Sequence, residues 1–288
     1  MLTVVGTVAW DTLALVERLA DPETTGGVRR VHADLPGGTG GNVAMALGRL
    51  GAGPRLVGAV GADFADSPYE RALREAGVDL AGLVRTSSAT SRAYVFFEAT
   101  GRQQTYFFPG ASRELVAQPV RGRVHFAAGE VSCYPAMMQT ADWVSFDPGQ
   151  EVFHRDHKQI LACLPHVDLL FLNKHERARL GLDVRALARD GTLVVETRGR
   201  DGTVVHAAEG EVDVPGVDVP ATDPTGAGDA HRAGFLYALA KGVDLRAAAR
   251  FANVLGSFAV EDVGPQTRLP TLAQARTRYA QAYGDAPF

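Results

Sequence analysis

Cysteine occurs only twice in the 288 residues, at Cys133 and Cys163, and neither position has a neighbour at metal-ligand spacing. That excludes a disulfide framework or a zinc site and fits reduced thiols in a cytoplasmic protein. Positive charge is also scarce: 29 Lys and Arg against 33 Asp and Glu leave −4 at pH 7, with lysine only at positions 158, 174 and 241. No basic footprint remains for a nucleic-acid partner. No apolar run approaches the roughly 20 residues that span a bilayer, so no membrane partner is expected. Gly-Lys-Ser/Thr is missing, as is Gly-x-Gly-x-x-Gly after a strand, which excludes a P-loop and leaves a dinucleotide site unsupported. There is no repeat, low-complexity tract or long linker.

What is present is an ample apolar fraction, 46% of residues, patterned in short blocks. Strands are expected at 2–8, 55–60, 124–128, 143–147, 169–173, 193–197 and 204–207. Helices are expected at 42–50, 67–75, 154–164, 184–188, 227–241, 245–260 and 272–283. Such alternation predicts an α/β fold, a doubly wound and mainly parallel sheet flanked by helices. Ligands of such sheets bind beyond the carboxyl ends of the strands, where Asp147, Asn173 and Thr197 each close a strand.

Two stretches break the alternation. Residues 11–35 hold strand-like pieces with no helix between them, and residues 92–109 alternate around Thr100-Gly101 like a hairpin. Together they predict a small β lid, at about 11–35 and 92–109, inserted in one domain spanning 1–288. Tyr94, Phe96, Tyr106 and Phe108 fall on one face of it, which needs cover from a ligand or from a second subunit.

The chemistry concentrates in Asp223-Pro-Thr-Gly-Ala-Gly-Asp229, which opens directly into a helix. Gly226, Ala227 and Gly228 leave backbone N–H groups accessible, and a helix N-terminus favours an anion such as phosphate. Asp229 would repel that phosphate unless it has a task, and it sits where an acceptor hydroxyl needs a base. The plainer reading is that Asp229 caps its own helix. A second cluster, Pro36-Gly-Gly-Thr-Gly-Gly-Asn42, again precedes a helix; Gly38 permits close approach and Asn42 both donates and accepts. Asp11, after the first strand, suits two neighbouring sugar hydroxyls. Glu176, one turn from Asn173, suits Mg²⁺ held through water or a simple first-turn acid. Thr197-Arg-Gly-Arg-Asp-Gly202 is a glycine turn that suits a nucleotide or merely joins two strands.

Taken together the motifs resemble the ribokinase-like (PfkB) family of carbohydrate and nucleoside kinases, over essentially the whole chain. Gly37–Gly51 is similar to its N-terminal signature, Asp223–Gly234 to its C-terminal signature, Asn173-x-x-Glu176 to its magnesium-associated motif and Phe251-Ala-Asn253 to its adenine-pocket helix. Ser145-Phe-Asp-Pro-Gly-Gln150 and Gly264-Pro-Gln-Thr267 resemble the broad-specificity archaeal and bacterial nucleoside kinases, whereas Arg232 and Thr39 depart from the ribokinase pattern.

The resemblance implies that Asp229 is the base and that Gly226, Ala227 and Gly228 form the anion hole. Asp11, Gly38 and Asn42 would hold ribose hydroxyls. Asn173, Thr197, Gly199, Gly202, Gly228 and Asn253 would line the ATP site, Glu176 would organise Mg²⁺, and Asp223 and Thr225 match positions that hold K⁺ in some relatives. Gln103 and Gln150 are expected beside a base, since amides both donate and accept. The implied activity is ATP- and Mg-dependent phosphorylation of the 5′-hydroxyl of inosine, guanosine or cytidine. A kinase of free ribose or fructose is the alternative, and a non-catalytic ligand-binding protein a further one. A homodimer through the lid is expected.

Overall fold

The computed structural model describes residues 1–100, 102–284 and 287–288. Strand β1 (Leu2–Val5) is followed by β2 (Ala9–Val16), β3 (Val28–Gly37) and helix α1 (Thr39–Arg49). Next come β4 (Arg55–Val60), α2 (Pro68–Glu75) and β5 (Asp79–Arg85), then the hairpin strands β6 (Ser91–Glu98) and β7 (Gln103–Phe108). The middle of the chain runs β8 (Arg123–Phe126), α3 (Tyr134–Met138), β9 (Trp143–Phe146), α4 (Glu151–His154) and α5 (His157–Leu161). It continues through β10 (Leu169–Asn173), α6 (Lys174–Leu180), α7 (Val184–Arg189), β11 (Leu193–Thr197), β12 (Thr203–Ala207) and β13 (Gly210–Val214). Three helices close it: α8 (Ala227–Ala240), α9 (Leu245–Ala259) and α10 (Leu272–Tyr283).

The larger sheet has the order β13-β12-β11-β10-β9-β8-β1-β4-β5. From β5 to β11 every pairing is parallel; β12 and β13 are added antiparallel. Its central strands are apolar on both faces, as in the fully buried Leu169–Leu172, so helices must cover both sides. One core layer gathers Val43, Leu47, Phe171, Phe235 and Phe251; the other gathers Phe126, Tyr134, Phe146 and Ile160. The doubly wound expectation therefore holds. Among the described residues no helix is long and apolar enough to cross a membrane.

The two exceptional stretches form a separate sheet of order β3-β2-β6-β7. Gly101, placed at the hairpin turn from the sequence, lies outside the described residues. The four aromatics do share a face, because Tyr94 pairs with Tyr106 and Phe96 with Gln104, while Arg92 pairs with Phe108. It is not the face that carries Asp11. Thr12 pairs with Tyr94 but Asp11 with Ala93, and successive side chains alternate. Asp11 therefore shares its face with Leu35, Ala93 and Phe107, and the four aromatics point the other way. Tyr106 and Phe108 are about half exposed there.

Three local expectations are corrected. The helix drawn at 154–164 is two helices, since Arg155 is extended and Asp156 caps α5 by accepting from the Lys158 N–H. Helix α1 starts at Thr39, inside the glycines, because Gly40 packs directly on the backbone of Gly6. Strands β5 and β13, absent from the sequence reading, are the two edges of the large sheet and have only one apolar face each.

Candidate active site

Helix α8 begins at Gly226, whose φ of 79° is left-handed, and Pro265 packs where a Cβ would stand. No side chain caps this end; the Ala227 N–H turns back to the Pro224 carbonyl over 3.2 Å, while those of Gly226, Gly228 and Asp229 have no acceptor among the described residues and form an anion cradle. Asp229 lies in the first turn of α8 with its carboxyl pushed up to about 7. Burial is the chief cause and the Asp147 charge adds to it; the Asn42 hydrogen bond and the Arg232 charge oppose it.

The two glycine segments meet at Asp229. Asn42 Nδ2 donates to Asp229 Oδ2 over 2.7 Å, while Asn42 Oδ1 accepts from Gln266 Nε2 over 2.8 Å. Gln266 also donates to the Tyr69 hydroxyl, which donates in turn to the Gly37 carbonyl. Gly38, with φ 81°, turns the chain into α1 beside Ala9 and Thr7. Asp11 packs against Gly37 where only glycine fits. Its Oδ1 is buried with no hydrogen-bond partner among the described residues, and burial plus the charges of Asp229 and Asp223 raise its carboxyl to about 7. Such an orphan acceptor calls for donors from a ligand. Tyr69 and Gln266 were not singled out from the sequence; the only signal was the Gly264–Thr267 run that contains Gln266.

On the other side, Asn173 and Thr197 are register partners at the carboxyl ends of β10 and β11. Asn173 caps α6, accepting from the His175 and Glu176 N–H groups, and Glu176 Oε2 accepts from the Asn173 N–H over 2.7 Å. This capping box uses one Glu176 oxygen and the Asn173 side-chain oxygen. Burial, then the Asp147 charge, pushes Glu176 up to about 7. Gly199 and Gly202 flank a single turn before β12. Asn253 on α9 accepts from Thr203 and donates to the Pro215 carbonyl, so its amide pins the chain segment after β13.

Asp223 accepts from Thr225 N–H and hydroxyl on one oxygen and from the Gly264 N–H on the other. Gln150 is exposed at the start of α4. Gln103 is exposed and pairs with Phe97, four residues beyond Ala93 along β6, so about 13 Å from the level of Asp11. The structure brings neither glutamine into the Asp229–Asn42–Asp11 group. A cleft of about 480 Å³ lined by Met45, Arg49, Glu75 and Leu269 lies behind α1 and borders this group at Leu35, Pro36, Pro265 and Gln266.

The buried cation of the site is Arg232. Its Nη2 donates to Asp147 Oδ1 over 3.2 Å, and its Nε stands 2.6 Å from Oδ2 without directing its hydrogen there. Among the described residues no other arginine or lysine is buried.

An acid beside a helix N-terminus that no side chain caps, with Asp147 and Asn173 at two strand ends and Asn42 bonded to it from α1, is arranged for phosphoryl transfer to a hydroxyl. The sequence matches the pfkB family carbohydrate kinase profile over residues 1–272. The chain belongs to the pfkB family. It is accordingly a phosphotransferase acting on a hydroxyl group. It is 33% identical over 303 residues to a nucleoside kinase of Methanothermobacter thermautotrophicus, covering 99% of this chain and 97% of that one. It is 31% identical to an ATP-dependent ribose-1-phosphate kinase of Halopiger xanaduensis, covering 88% and 89% respectively. The Burkholderia thailandensis nucleoside kinase solved in complex with inosine superposes with a TM-score of 0.90 at 25% identity, over 100% of both chains.

Proposed function

We propose that this kinase phosphorylates the 5′-hydroxyl of a nucleoside of the inosine, guanosine or cytidine type, giving the 5′-monophosphate and ADP. The observation that carries the reading is the orphan Oδ1 of Asp11, buried on a sheet face that also presents Phe107. Two ribose hydroxyls would satisfy that carboxylate, and Gly38 leaves backbone beside it. Phe107 stands two strands away, about 10 Å, with the small Ala93 between them. That is room for a base lying on an apolar wall. The likeness to the inosine-bound kinase supports the same reading.

In the reaction Asp229 accepts the 5′-hydroxyl proton, and Asn42 keeps the carboxylate aimed. The N–H groups of Gly226 and Gly228, joined by that of Ala227 once it leaves the Pro224 carbonyl, receive charge developing on the phosphoryl oxygens. ATP packs along Asn173, Thr197, Gly199 and Gly202, with Asn253 shaping its pocket through Pro215 rather than through a free amide. The residues fit a hydrated Mg²⁺: Asp147 and Glu176 repel one another in a buried site, and a cation would relieve that repulsion. When bound, Mg²⁺ supplies positive charge to the phosphates, and Glu176 orients it through water. Potassium at Asp223 and Thr225 has less support, because both Asp223 oxygens already accept hydrogen bonds; rates in potassium and sodium salts measure it.

The small sheet acts as the lid, closing over the sugar to keep water from the phosphoryl group. Its aromatic face, with exposed Tyr106 and Phe108 on the edge strand β7 and exposed Val28 and Val31 on the opposite edge strand β3, meets the same face of a second copy. The mass in solution tests that pairing.

Initial rates of ADP release across inosine, guanosine, cytidine, ribose, fructose and ribose 1-phosphate test the substrate class. Turnover with nucleosides well above the other acceptors is expected. Turnover confined to a free sugar or to ribose 1-phosphate overturns the nucleoside reading, and no turnover with any acceptor returns the chain to a binding role.

A further inference from the structure

Arg232 lies one helical turn after Gly228 on α8, and helical side chains lean back toward the N-terminus. Its guanidinium therefore reaches the cradle itself. A Cβ added to Gly228 would stand 2.5 Å from Nη1, so the guanidinium rests directly on the last residue of the anion hole. Asp147 takes the opposite edge, through a hydrogen bond from Nη2 and an ion pair beside Nε. Nη1 makes no hydrogen bond among the described residues, although the side chain is only 5% exposed. The guanidinium also lies 5.9 Å from the Phe171 ring, which limits its travel on that side.

The charge around it is one-sided. Asp147, Glu176 and Asp229 all act electrostatically on Arg232, each favouring its charged form. An incoming triphosphate adds further negative charge to a pocket that already holds these acids. A lone buried cation there, with one nitrogen unspent, is placed for more than neutralising Asp147.

We infer that Arg232 contacts the phosphoryl group during transfer, with Asp147 holding the far edge of its guanidinium so that Nη1 faces the cradle. In that step the bond from the γ-phosphorus to the ADP oxygen breaks and a bond to the acceptor oxygen forms. The acceptor's proton passes to Asp229. Arg232 donates Nη1 hydrogens to the phosphoryl oxygens and exchanges no atom. Cations aimed at the transferring group act chiefly in the transition state. The inference rests on phosphoryl transfer at this cradle and not on which alcohol accepts it.

The test separates this role from simple neutralisation of Asp147. Arg232→Gln alone leaves a buried carboxylate unpaired and risks poor folding. The double variant Asp147→Asn/Arg232→Gln removes both charges together and serves as the folded comparison. With the best acceptor of the wild-type enzyme, the double variant is expected to lose about 100-fold or more in kcat while KM for ATP and acceptor change only a few-fold. Binding of ADP is expected to tighten with fluoroaluminate in the wild type and not in the variant. Arg232→Lys should recover only part of the loss, because a point charge cannot hold Asp147 and the phosphoryl group at once. Wild-type kcat in the double variant, or tightening by fluoroaluminate undiminished, overturns the inference. A wild-type enzyme that turns over no alcohol would instead strike at the proposed function.

Discussion

Asn42 Nδ2 and Asp229 Oδ2 stand 2.7 Å apart, joining α1 to α8 across 187 residues of sequence. Because Asn42 Oδ1 accepts from Gln266, the amide is oriented and its donor end is fixed on the carboxylate. This hydrogen bond lowers the Asp229 pKa against the effect of burial. Asn42→Ala should therefore raise that pKa further and move the acid limb of kcat/KM to higher pH. A pH–rate profile whose limb stays in place would remove Asn42 from the control of the base.

Asp229→Asn keeps size and polarity but cannot take a proton, so turnover should fall by about two to four orders of magnitude. Acceptor affinity measured without turnover should change little. The pH dependence has a definite sign. The carboxylate must be ionised to act, and its pKa is raised to about 7, so kcat/KM should fall as pH drops below that value and level off above it. Near-wild-type turnover in the asparagine variant contradicts the assignment.

Glu176→Gln separates the metal role from the capping role. Glutamine still accepts the Asn173 N–H, so the capping box survives and thermal stability should hold. The lost negative charge should raise the Mg²⁺ concentration needed for half-maximal rate about tenfold. An unchanged magnesium titration, or activity that persists in a strong chelator, places the metal elsewhere.

Phe107 and Tyr106 are neighbours on β7 that point to opposite faces. Phe107→Ala should raise KM for inosine about tenfold, on the order of 1.4 kcal/mol of lost stacking, and leave any turnover of ribose unaffected. Tyr106→Ala should leave KM alone and weaken self-association. The reverse pattern means that the aromatic face at Tyr106 covers the base.

The central strands and both glycine segments were legible because their residues are constrained locally: wholly apolar runs, and glycines with Asp229 one turn into a helix. The edge strands β5 and β13 were not, since an edge strand has no second buried face to mark it. Alternation correctly put Tyr94, Phe96, Tyr106 and Phe108 together, but which way that face turns depends on the register of β6 against β2. Asn173 and Asn253 are expected from the sequence to line the ATP site. The Asn173 oxygen is taken by the nearby N–H groups of His175 and Glu176 in a helix cap, whereas the Asn253 amide holds Pro215, a partner that sequence does not bring near. Arg232 was visible only as a departure from the ribokinase pattern; its place against Gly228 and Asp147 depends on where β9 ends relative to α8.

The most direct test of the whole account is a competition between acceptors. With inosine and ribose at equal concentration, limiting ATP and Mg²⁺, products are separated by mass after a small fraction of turnover. The account predicts inosine 5′-monophosphate in large excess, because Asp11 holds the same two hydroxyls in both substrates and only the nucleoside also meets Phe107. A predominance of ribose 5-phosphate would contradict the nucleoside assignment while leaving the Asp229 chemistry intact.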